Sequence, residues 1–288
     1  MGIRRPAILF LSRLGSLAAA LVAKAMLVVG CRASDKPLPP PTSRPDEPNI
    51  VITIVYDNNT GRKDLTPAWG FACVVQGLEK TILFDTGGDG RILLENMQRL
   101  GLDPAGIDAV VISHIHGDHT GGLSAFLKAG GGVPVHIPSG FPAGFKKEIQ
   151  SIGGQVVEAD EAVTICPGAR TTGTLAKGAI EEHGLCVAAR EGWVLITGCA
   201  HPGVANMAAR AKQVTGGGLH LVMGGFHMGF QSRRRIEAVI ERFEQMGVER
   251  VAPCHCSGRR ACELFKEQFA ERCVLAKTGE VFRLHRKH

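Results

Sequence analysis

Aromatic residues are scarce, forming 5% of the 288 residues, with one tyrosine and two tryptophans. Long apolar runs are missing as well. The longest uncharged stretch of the amino-terminal segment, residues 14–23, is shorter than the ~20 apolar residues that cross a bilayer, which excludes a polytopic membrane protein. The nine cysteines include no Cys-x-x-Cys pair, so nothing suggests a separate zinc ribbon. The 37 glycines follow no fixed period, which excludes collagen. A large charge of one sign is also absent from the body. The formal net charge is +6, but residues 1–30 hold Arg4, Arg5, Arg13 and Lys24 and no acid, leaving +2 for the rest. With so little excess charge, few aromatics and no appended nucleic-acid domain, no nucleic-acid partner is expected. What is present, 44% apolar and 21% charged residues, is ordinary for a globular protein and excludes wholesale disorder.

The amino terminus reads as an address. Residues 1–30 combine a positive start, a short apolar middle and a small residue before Cys31, as a secretory signal does. Leu27-Val28-Val29-Gly30-Cys31 resembles a bacterial lipobox, so Cys31 is a candidate for lipid attachment to a membrane. An exported protein, periplasmic or membrane-anchored, is the expectation, with the cytoplasm as the alternative. Residues 31–48 form a linker with six prolines at 37, 39, 40, 41, 45 and 48, a composition that favours extended chain. The folded body is expected over residues 49–288.

Within the body, strands and helices mix. β-Branched or apolar runs at 51–56, 69–76, 81–84, 109–113, 185–189, 194–197, 219–223 and 248–252 predict strands. Residues 91–100 predict a helix. Ile236, Val239, Ile240, Phe243 and Met246 recur at helical spacing, as do Ala261, Leu264, Phe265 and Phe269. Sheets packed on each other with helices outside are expected. The tail, 283–288, reads as a solvated basic end.

The sharpest signal is Ser113-His114-Ile115-His116-Gly117-Asp118-His119-Thr120-Gly121-Gly122. Three imidazoles and a carboxylate within six positions are good ligands for zinc or a similar transition metal. The motif follows a predicted strand, and Gly117 permits the tight turn that lets the side chains converge. Three later histidines also follow strand-like runs. His201 lies in Gly198-Cys199-Ala200-His201-Pro202-Gly203, His227 in Gly224-Gly225-Phe226-His227, and His255 in Pro253-Cys254-His255-Cys256-Ser257-Gly258. His136, His183 and His220 are read as lying outside the site.

These motifs resemble the metallo-β-lactamase fold superfamily over roughly residues 50–284. The resemblance implies an α+β fold, an αββα sandwich of two mixed sheets flanked by helices, with metals at one edge of the paired sheets. It assigns His114 and His116 to one metal and Asp118 and His119 to a second. His201 is expected to complete the first set and His255 the second. Asp85, at the end of Thr81-Ile82-Leu83-Phe84-Asp85, matches a family aspartate that orients a ligand imidazole. The later motifs are similar to a branch that includes the archaeal dihydropterin ribofuranosylaminobenzene phosphate synthase. Ser257 stands where that branch often has threonine, and residues 170–184 are short where that enzyme has a substrate-covering loop. Gly198-Cys199 stands where many members have Gly-Asp, so Cys199 is a soft ligand, a reactive thiol or a small buried residue.

The resemblance implies a metallo-hydrolase with one or two zinc ions, iron and manganese being the other candidates. Metal-activated hydroxide would attack a small-molecule ester, amide or phosphoester, with Asp118 orienting the water and His227 either donating a hydrogen bond to the substrate or serving as a ligand. The alternatives are a pterin-type group-transfer synthase and a non-catalytic metal-dependent binding module on the envelope.

Overall fold

The computed structural model describes residues 49–287 apart from 178 and 179. The candidate signal segment, the Pro-rich linker, Cys31 and His288 lie outside the described residues. Among those described, no helix is long and apolar enough to cross a membrane.

The strands are β1 (Ile50–Asp57), β2 (Phe71–Gln76), β3 (Ile82–Phe84), β4 (Ala109–Val111), β5 (Pro134–Ile137), β6 (Gln155–Glu158), β7 (Thr164–Cys166), β8 (Ala169–Thr171), β9 (Leu175–Lys177), β10 (Ile180–Glu182), β11 (Leu185–Ala189), β12 (Gly192–Thr197), β13 (Leu219–Gly225), β14 (Arg250–Cys254) and β15 (Val281–Leu284). One sheet has the order β15-β1-β2-β3-β4-β5-β6, the other β14-β13-β12-β11-β8-β7, and β9 and β10 form a separate ribbon. Both sheets are mixed. β1, β2 and β3 pair antiparallel and β3 to β6 parallel, while β12, β13 and β14 pair parallel and β11 antiparallel to β12.

Alternation along the strands builds the layers. Ile52, Ile54, Phe71, Cys73 and Phe84 meet Leu185, Val187, Ile196 and Met223 in the core between the sheets. Their neighbours Val74, Leu83 and Val110 face outward onto Leu93, Met97, Phe126 and Ile149. These last residues belong to helices α1 (Gly90–Arg99), α3 (Leu123–Gly130) and α4 (Ala143–Ser151), with the single-turn α2 (Gly117–Thr120) before α3. On the far side Leu195, Leu219 and Val222 pack on α5 (Val204–Thr215), α6 (Arg233–Gln245) and α7 (Arg259–Phe269) through Met207, Ile236, Phe243 and Phe265. The result is the αββα sandwich that the sequence led us to expect. The helical stripe on α6 is seen, with Ile236, Ile240 and Phe243 buried.

One expectation is corrected. The basic tail is solvated only in part: Arg283, Arg286 and Lys287 are exposed, but Leu284 is buried in Val281–Leu284, an edge strand on β1. His285 pairs with Glu191. The alternation Val-Phe-Arg-Leu carries the strand despite the neighbouring charges.

Two histidines outside the motifs lie in the interior. Burial pushes His183 down to about 4, with the charge of His136 adding to the effect, and burial with nearby Lys80 does the same to His136. A histidine depressed in the folded state binds its proton more weakly there than in the unfolded chain. Its stabilisation is present above pH 6.5 and is lost as the pH falls towards 4, on the order of 3 kcal/mol for His183. Urea unfolding of a His183→Gln variant should therefore show a shallower loss of stability across that window than the parent protein. An identical slope would refute this account.

Candidate metal centre

The carboxyl ends of β1, β3 and β4 in one sheet and of β12, β13 and β14 in the other deliver the site's loops. They carry, in turn, Asp57 and Asn58, Asp85, the His114–His119 run, Cys199 with His201, His227, and His255 with Cys256. Among the described residues five non-glycine residues have positive φ, and four lie in these loops: Asp85 (55°), Ala200 (61°), His227 (53°) and His255 (49°). Such backbone is costly and persists where the surroundings hold it. Here the loops brace one another. Thr197 Oγ1 donates to the Gly225 carbonyl at 2.9 Å, and Gly225 N–H to the Gly198 carbonyl at 3.1 Å. Ser257 Oγ accepts from Phe226 N–H at 3.1 Å and donates to the Cys254 carbonyl at 2.6 Å. A hydroxyl does this bracing, so serine serves there as threonine would. Gly198 has no room for a side chain, because a Cβ would lie 2.0 Å from Ser113 Oγ.

The donor atoms fall into two adjacent groups. His114, His116 and His201 form one, and Asp118, His119, Cys199 and His255 the other, each with its ligand atoms within 4.8 Å of one another. His114 Nε2 lies 3.2 Å from His116 Nδ1, and His119 Nε2 lies 3.2 Å from His255 Nε2. Asp118 Oδ2 is 3.3 Å from His255 Nε2, and Cys199 Sγ is 3.3 Å from His119 Nε2.

The far side of each buried ring shows why the near nitrogens converge. His119 Nδ1 meets Asp85 Oδ2 at 2.7 Å, and His201 Nδ1 meets Glu182 Oε2 at 2.8 Å. His255 Nδ1 meets Asn58 Oδ1 at 3.0 Å, and His114 Nδ1 meets Ser113 Oγ at 2.9 Å. When Asp85 is ionised it only accepts, so the proton of His119 then sits on Nδ1 and its Nε2 presents a lone pair. Asn58 Nδ2 donates to the His255 carbonyl at 3.3 Å, which turns the amide oxygen towards the His255 ring and fixes the same tautomer there. When both rings are neutral, these tautomers turn two lone pairs towards each other at 3.2 Å. A cation between them turns that repulsion into coordination, so the residues present fit a metal.

Electrostatics favour neutral imidazoles at His114 and His119; at His255 burial also works against the charged form, but the hydrogen bond to Asp118 outweighs it and raises the imidazole. Burial, then the neighbouring imidazole charge, pushes His114 and His119 each down to about 3. Burial raises the Asp85 carboxyl to about 7, against the pull of His114 and the Ser113 hydrogen bonds. Burial also works against ionised Asp118 and Glu182, but their histidine partners His255 and His201 outweigh it and hold both below the usual carboxylate range.

The structure thus brings His114, His116, Asp118, His119, His201 and His255 together, with Asp85 behind His119. His227 stands at the exposed rim, its ring centroid 4.4 Å from that of His201. Cys199 is buried among the donors. Glu182, Asp57 and Asn58 were missed by sequence reasoning. Glu182 Oε1 accepts from the N–H groups of Cys199 and Ala200 at 2.9 and 2.7 Å, and Oε2 from His201 N–H at 2.8 Å. Asp57 Oδ2 accepts from His255 N–H at 2.9 Å. A strand-end acid like Asp85 was the available signal for Asp57. No local signal marks Glu182.

A cleft of about 570 Å³ opens beside His227, His255 and Cys256. Trp69 stands in its wall, with its ring 5.0 Å from that of His255, and exposed Phe230 lies on the rim. Arg259 and Lys277 also line it, and among the described residues no carboxylate does.

The fold and these paired donor sets define a class. The family model described as the metallo-β-lactamase superfamily matches residues 69–255, and the chain belongs to that superfamily. Among curated relatives, the chain is 28% identical to 7,8-dihydropterin-6-methyl-4-(β-D-ribofuranosyl)-aminobenzene-5'-phosphate synthase of Methanocaldococcus jannaschii, over 82% of this chain and 97% of that protein. Among solved structures, it is similar to a metal-dependent hydrolase of the β-lactamase superfamily with a TM-score of 0.69 and 26% identity, over 82% of this chain and 99% of that one. The metallo-β-lactamase fold protein YhfI of Bacillus subtilis, with a TM-score of 0.59 and 14% identity over 81% of this chain and 99% of its own, shares the fold.

Proposed function

We propose that this protein is a metal-dependent hydrolase of small, anionic, partly apolar esters, amides or phosphoesters. The observation that carries the reading is the pair of donor sets, His114/His116/His201 and Asp118/His119/Cys199/His255, side by side, with His255 in the lining of the cleft. These nitrogen and sulfur donors would hold a divalent cation, best matched by zinc, which would supply Lewis acidity to water and to the electrophile. The protein's residues do the rest. Asp118 stays ionised and half-exposed, so it orients water by accepting a hydrogen bond rather than by carrying a proton. His227 offers a donor from the rim to an oxyanion or leaving group. Arg259 and Lys277 attract an anionic substrate, while Trp69 and Phe230 supply apolar area.

A pterin-type group-transfer synthase is the second reading, supported by the relative of that name. One experiment separates them. Purified protein is assayed against lactone, thioester and phosphoester substrates, and against a pterin diphosphate with an arylamine acceptor, with and without chelator. Hydrolysis that chelator abolishes and zinc restores is the expected result. Turnover of the donor–acceptor pair alone, or hydrolysis indifferent to chelator, would overturn the proposal.

A further inference from the structure

The wall of the cleft holds a third group of donors, which includes a cysteine that the hydrolase reading leaves unused. Cys199 Sγ, Cys256 Sγ and a ring nitrogen of His227 lie within 4.8 Å of one another. They come from three different loops, after β12, β14 and β13. Their convergence is fixed by contacts that do not involve an ion. The His227 N–H donates to Cys256 Sγ at 3.3 Å, and the Cys256 thiol donates to the Cys199 carbonyl at 3.7 Å. Position 225 is glycine where the thiol presses close, since a Cβ there would lie 2.8 Å from Cys256 Sγ. Burial is graded outward: Cys199 is buried, Cys256 half-buried and His227 exposed, so the open side of the group faces the cleft.

Two thiols and an imidazole form a Cys₂His donor set with a fourth position free for water or ligand. Soft sulfur donors select zinc, cadmium or cuprous ion over magnesium, calcium or manganese. Cys199 also belongs to the Asp118/His119/His255 group, so the two donor sets share one sulfur.

We propose that Cys199, His227 and Cys256 form a binding site for a thiophilic metal cation at the cleft wall, adjoining the histidine–aspartate centre through Cys199. The site is independent of which reaction that centre carries out. Binding releases the thiol protons and joins two sulfurs from different loops to one ion.

Cadmium reports such a site directly, because a thiolate–cadmium bond absorbs in the ultraviolet. The full-length, fully reduced, metal-free protein is titrated with cadmium, following absorbance and bound equivalents, beside Cys256→Ser and His227→Ala variants. The parent protein should bind one more equivalent than Cys256→Ser and show about twice its charge-transfer absorbance. His227→Ala, a change at an exposed residue, should keep the absorbance but need at least ~10-fold more cadmium for that equivalent. Equal stoichiometry and absorbance in the parent and Cys256→Ser would overturn the proposal. So would a Cys199–Cys256 disulfide found by mass spectrometry in protein kept with excess zinc, because a filled site protects both thiols.

Discussion

A His116→Ala, Asp118→Ala double variant is expected to lose at least ~10³-fold in kcat/KM for any hydrolytic substrate of the parent protein. The magnitude follows from the several kcal/mol of charge stabilisation that a catalytic cation contributes, at about 1.4 kcal/mol per tenfold. Each substitution removes one donor from a different set, so neither set retains its full complement. The loss should therefore be accompanied by reduced metal content, read by elemental analysis of dialysed protein. The fold should survive. His116 is half-buried and caps the single-turn helix α2, and the Asp118 side chain in its first turn is 21% exposed. Neither is part of the hydrophobic clusters that join the sheets to the helices. Unchanged circular dichroism with lost turnover is the expected pattern. Full turnover in the double variant would sink the hydrolase reading.

What could be read in the sequence divides along the distance between residues. His114, His116, Asp118 and His119 sit in one short run, so their chemistry is visible without a fold. Asp85, His201 and His255 follow recognisable strands, and resemblance to a family supplied their pairing. The strands that show period-two or continuous apolar runs were also legible. β5, β6 and the short β7 to β10 were not, since each has three or four residues and lacks a distinctive pattern. The supports of the site fared worst. Asp57 and Asn58 begin the stretch Asp-Asn-Asn-Thr-Gly, which has turn composition whether or not it holds a histidine. In the fold Asn58 meets the His255 ring at 3.0 Å from 197 positions away. Cys199 shows the same limit from the other side. Most unpaired cysteines are small buried residues, and this one is buried, yet its sulfur lies among the donors. Only the convergence of both sheets reveals it.

Glu182 is the support whose loss should cost most. Its side chain is fully buried, and its two oxygens accept four hydrogen bonds: Cys199 and Ala200 N–H on Oε1, and His201 N–H and Nδ1 on Oε2. Four donors facing one group call for a carboxylate. In a Glu182→Gln variant one oxygen becomes an NH₂ group that must face two N–H donors, whichever way the amide turns. Because His201 Nδ1 can give up its proton to the other ring nitrogen and accept instead, at least one buried N–H donor is left unsatisfied, at about 1–3 kcal/mol. Glu182→Ala should cost more, because the cluster also loses a buried charge matched to His201. The effect on the metal is separate from the effect on stability. Without its acceptor, His201 can place its proton on either nitrogen and its ring can swing, so metal affinity of the His114/His116/His201 set should fall ~10- to 100-fold. Two measurements distinguish these effects. Urea unfolding of metal-free Glu182→Gln should show a loss of about 1–3 kcal/mol. Competition with a zinc chelator should show the weaker affinity in the fraction that remains folded. If both stayed at the parent's values, the carboxylate would not be what holds the Gly198–His201 loop and the His201 ring in place.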